Sequence, residues 1–306
     1  MTWQRADEVV VATGFSYPEG PRFDVHGQLH VVELAGGVVS RVVDGERVVL
    51  ATPGGSPNGA AFDDAGRLWI CNNGGNWGPN ASTGGRPGLG GGLAAIQVVD
   101  PDGTFATVLT AIDGVPLSSP NDLALDPRGG LWFTDPVWAG RDAQGSAPAS
   151  ASPPGAVCFL DEDGAARRCH VGAVFPNGLV LTPDGSELWV GETGTGRILA
   201  FPLLGRGRLG EPRIRCELGA DAYPDGMCFD SAGRLIVAGT GSGALFVVGE
   251  RGLEERVPMA DPDVTNLCFG GPAGRDLFVT EASLGRVVSL EWDVPGEPLP
   301  VGPRSW

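Results

Sequence analysis

Apolar and polar residues alternate with a period of two along most of the chain, and an Asp/Gly turn cuts the alternation at intervals. In the segment Tyr17 to Glu33, YPEGPRFDVHGQLHVVE, an apolar run enters the turn and a second run leaves it. This is the pattern of a β-hairpin. The same phrase recurs as SPNGAAFDDAGRLWICN (Ser56 to Asn72), SPNDLALDPRGGLWFTD (Ser119 to Asp135) and FPNGLVLTPDGSELWVGE (Phe175 to Glu192). It recurs again as YPDGMCFDSAGRLIVAG (Tyr223 to Gly239) and, in divergent form, as VTNLCFGGPAGRDLFVTE (Val264 to Glu281). Segments such as GRILAFPLL (Gly196 to Leu204) and RIRCEL (Arg213 to Leu218) supply two further strands after a hairpin. Four strands per repeat and six repeats predict an all-β fold: a six-bladed β-propeller with four-stranded antiparallel blades around a central channel.

The repeats start near residues 17, 56, 119, 175, 223 and 263, which sets the expectation of one propeller domain over residues 1–306. Two intervals exceed the ~40–50 residues of an ordinary blade. The excess lies in Asn72 to Gly92 and Pro136 to Gly155, rich in Gly, Ser, Ala or Pro, which are read as long loops on one face. Ring closure is expected from pairing of Glu8 to Ala12 with Val287 to Trp292.

Composition narrows the chemistry. The 50 Gly and 26 Pro fit a chain of turns, and 42% hydrophobic residues suffice for a core. A formal net charge of -16 disfavours nucleic acid as a partner. No stretch reaches the ~20 apolar residues of a membrane helix, and MTWQRADEVV lacks a secretory core. A cytoplasmic protein with a small-molecule substrate, no membrane or nucleic-acid partner, and a monomeric or weakly homo-oligomeric state is expected. The six Cys form no CxxC pair, so they read as buried thiols; three His are too few for a His-rich metal site.

Each repeat carries an oxygen-bearing side chain just before its first strand: Glu19, Asn58, Asn121, Asn177, Asp225 and Thr265. Asn and Asp are also ordinary turn formers. Two carboxylates at one channel mouth repel each other, however, unless a cation lies between them. Oxygen-only ligation suits one hard divalent ion, with calcium the first expectation and magnesium, manganese, zinc or iron as others. The second strands end on Glu33, Asn72, Asp135, Glu192, Gly239 and Glu281, of which Asp135 and Glu192 are candidate groups orienting the ligands from behind. Trp69, Trp132 and Trp189 share one slot and read as core.

The motifs PEGP (Pro18 to Pro21), SPNDLALDPRGGLWFTDP (Ser119 to Pro136), FPNGLVLTPDG (Phe175 to Gly185) and YPDGMCFD (Tyr223 to Asp230) resemble those of the senescence marker protein/gluconolactonase family, which includes regucalcin and sugar lactonases. The resemblance implies a six-bladed propeller holding one catalytic divalent metal through Glu19, Asn121, Asn177 and Asp225. The same four-ligand pattern resembles that of the diisopropyl fluorophosphatase group. Where some sugar lactonases carry Arg two residues before the ligand Asn, this chain has Ser119.

These implications set the functional expectation: a metal-dependent hydrolase of ester bonds, opening a sugar or related lactone by attack of activated water, with Asp225 as ligand and general base. The alternatives are an esterase or phosphotriesterase, or a non-catalytic calcium-binding propeller. Substrate contacts are expected from Asn58, Ser119 and Thr265 beside the metal, and from Asn73, Asn76, Trp77 and Trp138 in the long loops.

Overall fold

The computed structural model describes residues 7–75, 92–137 and 153–298. Its strands form six blade sheets arranged as expected, with the blades in chain order, and a separate two-stranded sheet of Ala111–Ile112 with Val115–Pro116. The first blade contains Pro18–Phe23, Leu29–Glu33, Val38–Val43 and Glu46–Ala51. The first strands of neighbouring blades lie against one another, so they are the innermost strands and line the channel.

The sixth sheet joins the two ends of the described chain. Its strands Val264–Gly270, Asp276–Glu281 and Arg286–Glu291 are completed by Val9–Thr13, which pairs antiparallel with the last of them, Val9 opposite Ser289. The expected closure is therefore present, one residue further along the N-terminal segment. It is reinforced by Arg286, which contacts Glu281 and reaches Glu8 at 3.0 Å.

Apolar residues alternating along each strand pack blade face against blade face. Trp189, Ile198 and Val180 of the fourth blade meet Leu235, Val237 and Phe246 of the fifth. The Trp slot read as core is core: Trp69, Trp132 and Trp189 are all buried. A buried indole N–H needs an acceptor, and the turn of the hairpin provides one. Trp69 Nε1 donates to Asp63 at 2.9 Å and Trp132 Nε1 to Asp126 at 2.9 Å. In the fifth repeat, where Ile236 replaces the Trp, Trp292 enters from the last blade and donates to Asp230 at 3.1 Å. The same aspartates accept Arg67, Arg128 and Arg234, so one carboxylate ties turn, indole and guanidinium together.

One irregularity positions the site. In five blades the first strand bulges within its opening residues, three residues spanning the register of two: between Glu19 and Arg22, Pro57 and Ala60, Pro176 and Leu179, Pro224 and Met227, and Val264 and Leu267. A bulge re-aims a side chain and strengthens local twist. The oxygen-bearing residues all fall at these bulges except Asn121, which lies two residues before the short strand Leu123–Leu125.

Candidate metal centre

The glycine that follows four of the six oxygen-bearing residues reveals how the ring is packed. Gly59, Gly178 and Gly226 do not have left-handed backbone. They are small because the next blade is in contact. A Cβ on Gly178 would lie 2.1 Å from the Asp225 carbonyl oxygen, and one on Gly59 2.8 Å from that of Asn121. The Gly59 amide donates to the same Asn121 oxygen at 2.6 Å. Gly20 in turn lies against Asn58, and Gly226 against the Asn266 side chain. The Thr265 hydroxyl donates to Pro18 O at 2.9 Å, and this contact joins the sixth blade to the first. Backbone contact around the ring thus brings Glu19, Asn121, Asn177 and Asp225 to one level of the channel.

Glu19, Asn121, Asn177 and Asp225 are all buried. Burial, then the charge of Asp122, pushes Glu19 up to about 8, far above an ordinary carboxylic acid. Asp225 is raised well above its usual range by burial, followed by the charges of Glu19 and Asp122. Asn177 hydrogen-bonds the Asp225 carboxylate, while its Oδ1 is buried without a hydrogen-bond partner. Two crowded carboxylates beside an orphaned amide oxygen fit a hard divalent cation, which would neutralise the acids and accept the lone pair. Among the described residues no three His, Cys, Asp or Glu are grouped so as to hold a metal by themselves. A metal held here would need amide oxygens to complete its ligand set, a donor chemistry that favours calcium or magnesium over a thiophilic metal.

The residues closing the second strands hold the channel residues from a distance. Asp135 accepts the backbone amides of Ser118 and Ser119 at 2.9 and 2.8 Å, three and two residues before Asn121. Glu192 accepts the amide of Val174 at 2.7 Å, three residues before Asn177, and is clamped by Arg197. Glu33 and Asn72 do the same for Ser16 and Ser56. Each anchors the segment that delivers a channel residue, which is the geometry of a ligand-orienting role.

Several expected substrate contacts have other surroundings. Thr265 is fully buried with its hydroxyl engaged by Pro18 and Thr280, so it faces neither substrate nor water. Asn73 is also buried, its Oδ1 accepting the Gly75 amide within its own turn. Ser119 is buried against Asp135, and Asn58 sits in the ring with its carbonyl against Gly20. Asn76, Trp77 and Trp138 lie outside the described residues.

Four further residues belong to the site. Asp122 and Asn266 occupy, in the third and sixth blades, the position that is Gly20, Gly59, Gly178 and Gly226 elsewhere. Each is held by a threonine present on the second strand only in those two repeats: the Asp122 amide donates to Thr134 Oγ1 at 3.1 Å, and the Asn266 amide to Thr280 Oγ1 at 2.9 Å. Asn266 hydrogen-bonds both Glu19 and Asp122, bridging them across the channel. Tyr17 adopts φ 58°, a left-handed conformation that is strained for an aromatic residue. Its phenol hydrogen-bonds Thr240, and burial followed by the charges of Asp263, Asp225 and Glu19 raises its pKa, so the hydroxyl keeps its proton beside the site. Arg22 is the fourth, and lies in the channel near Asp122 and Glu19. The substitution of Gly by Asp and Asn in two of six repeats was the sequence signal for this group.

Comparison with known proteins agrees with the fold and places the chain in a family. The model of the SMP-30/gluconolactonase/LRE-like region matches residues 17–283. A diisopropyl-fluorophosphatase from Loligo vulgaris is 28% identical, with 91% of this chain and 90% of that protein covered. A gluconolactonase from Zymomonas mobilis is 27% identical, over 73% of this chain and 60% of its own length. Among solved structures, the gluconolactonase XC5397 from Xanthomonas campestris superposes with a TM-score of 0.75 at 27% identity, covering 94% of this chain and 89% of that one. The chain belongs to the SMP-30/gluconolactonase/LRE-like family of six-bladed propellers.

Proposed function

We propose that the chain is a divalent-metal-dependent hydrolase that opens a lactone. The observation that carries this reading is the convergence of buried Glu19 and Asp225 beside the orphaned Oδ1 of Asn177. Glu19, Asn121, Asn177 and Asp225 would hold the ion, with calcium the first candidate. Bound there, it would supply Lewis-acid polarisation of the acyl carbonyl and ease deprotonation of water.

The protein's own residues do the rest. Asn177 orients the Asp225 carboxylate through a hydrogen bond. Asp225 accepts a proton from the water whose oxygen attacks the acyl carbon, a contribution of roughly 10²–10⁴ in rate. As the ring C–O bond breaks, that proton passes to the departing alkoxide, leaving a hydroxy acid. Asn266 fixes Glu19, and Asp135 and Glu192 fix the segments carrying Asn121 and Asn177. The likeness to lactone hydrolases of two bacteria supports a lactone substrate.

A second reading, hydrolysis of an organophosphorus ester, is favoured by the likeness to the diisopropyl-fluorophosphatase of Loligo vulgaris, which matches over nine-tenths of both chains. Ser119 in place of an arginine removes a cation suited to a sugar hydroxyl and is compatible with a less polar substrate. Both readings use the same centre. Chelator-stripped protein, reloaded singly with calcium, magnesium, manganese or zinc, is assayed by acid release against sugar lactones, aliphatic lactones and fluorophosphates. Metal-restored turnover of lactones is expected. Turnover confined to the phosphorus substrates selects the second reading, and no turnover with any metal contradicts both.

A further inference from the structure

Five of the six oxygen-bearing residues are aimed by a bulge in an innermost strand, and Asn121 is the one that is not. Its amide donates to Thr134 O at 2.9 Å, but Leu117 to Pro120, which lead into it, belong to no strand. Their path is set by the hairpin of Ala111–Ile112 with Val115–Pro116, inserted between the outermost strand of the second blade and the innermost strand of the third. Asp113 and Gly114 turn this hairpin with φ of 52° and 75°, the two left-handed residues that a two-residue turn requires. At its base Leu117 N donates to Thr110 O at 2.9 Å. Ile112 and Leu117 are buried in the apolar cluster shared by the second and third blades, which anchors one side of the insertion.

A guanidinium holds the other side. Arg168 lies on the outermost strand of the third blade, Ala166–Val174, beside a register shift: His170 pairs with Val157 and Arg168 with Cys158, so Cys169 is the extra residue. A bulge of this kind re-aims the side chains next to it. Arg168 Nη1 donates to Ile112 O at 3.1 Å, and Nη2 donates to Val115 O and Pro116 O, both at 3.3 Å. Nη2 also lies 4.0 Å from Asp135 Oδ2, while Oδ1 of the same carboxylate accepts the Ser118 and Ser119 amides. In the first, fourth and sixth blades Arg47, Arg197 and Arg286 instead bind Glu33, Glu192 and Glu281 directly. Arg168 is set back from its carboxylate and directs its donors to three backbone carbonyls, a task for a rigid fork rather than for a point charge.

We propose that Arg168 is a positioning residue for Asn121: by clasping the hairpin and facing Asp135 it fixes the strandless segment that carries this amide to the channel. This rests on the metal-centre reading above.

The test measures calcium affinity of the chelator-stripped full chain by calorimetry, alongside urea unfolding without metal. Arg168→Met should weaken calcium binding by about tenfold, the lower end of the range for groups that orient a metal ligand. Arg168→Lys keeps the charge but loses the fork, and should bind nearly as weakly. Arg128→Met, which breaks an arginine–aspartate pair with Asp126 in the turn of the same blade, should leave calcium affinity unchanged. A purely structural role for Arg168 would lower the urea midpoint and leave the calcium affinity of the folded protein unmoved, which overturns the proposal. Parent-like affinity in Arg168→Lys also overturns it, since charge alone would then suffice. If Arg168→Met does not fold, Gly114→Val replaces it: the substitution strains the hairpin turn at φ 75°, where a Cβ would meet nothing within 4 Å, and should weaken calcium in the same direction. Parent-like affinities in Gly114→Val and Arg168→Lys together overturn the proposal. A parent that binds no calcium overturns the metal centre itself, whereas a parent that binds, with Arg168→Met binding equally well, overturns only the role of Arg168.

Discussion

Substituting Gly178 by alanine separates two explanations of the repeated Pro-x-Gly motif. If the glycine were only a flexible position, alanine would stabilise the protein by about 0.4–1 kcal/mol, because it restricts the unfolded chain without straining the folded one. The structure predicts the opposite sign. The new Cβ would stand 2.1 Å from the Asp225 carbonyl oxygen and 2.8 Å from its carbonyl carbon, and these are backbone atoms that cannot rotate away. Overpacking of this kind costs about 1–3 kcal/mol. At about 2–4 °C per kcal/mol for chains of 150–250 residues, the melting temperature of Gly178→Ala should fall by roughly 2–12 °C, measured by calorimetry in the presence of chelator. Because relief of the clash moves the Asp225 backbone, calcium affinity should weaken as well. A variant as stable as the parent, or more so, would refute the close approach of the fourth and fifth blades at this point.

Two other consequences follow from the buried acids. In metal-free protein Glu19 is raised from 4.5 to about 8, so the folded state binds a proton that the unfolded state releases. Its contribution is fully present below about pH 4.5 and is lost as pH rises through 8, so chelator-treated protein should lose stability across that window by urea titration. Saturating calcium should flatten the loss; a metal-free protein growing more stable over the same window would contradict the burial of Glu19. In the third blade, Asp126→Ala removes the acceptor of the Trp132 indole and the partner of Arg128. An unfolding penalty of about 1–3 kcal/mol is expected by denaturant titration, with calcium affinity unchanged, and a neutral effect would show that the clasp is dispensable.

The architecture was legible because a propeller writes its period into the chain. The hairpins around Trp69 and Trp132 repeat with the same Asp and Gly offsets, and the terminal strand carries the apolar residues that pair Val9 with Ser289. The oxygen-bearing residue of each repeat was legible for the same reason. What the repeat concealed was the difference between its copies. Thr265 stands in the slot of the carboxylates and amides, yet its hydroxyl closes the ring onto Pro18, since the last blade must join the first. Asp122 and Asn266 stand where four copies have glycine, and only their meeting across the channel gives them a role. Tertiary proximity between blades three and six has no counterpart in sequence spacing. The motif glycines carried a similar ambiguity: Gly66 and Gly185 turn a hairpin with positive φ, whereas Gly178 makes room for the neighbouring blade.

The central claim is that Glu19, Asn121, Asn177 and Asp225 form one metal centre. Its most direct test is calorimetric titration of chelator-stripped protein with calcium, repeated on Glu19→Gln and Asp225→Asn. One ion per chain is expected for the parent, with stabilisation of about 2.7 kcal/mol at a free-ion concentration one hundred times Kd, and loss of that binding in both variants. Binding that survives in either variant with undiminished affinity and stoichiometry, or no binding by the parent, would contradict it.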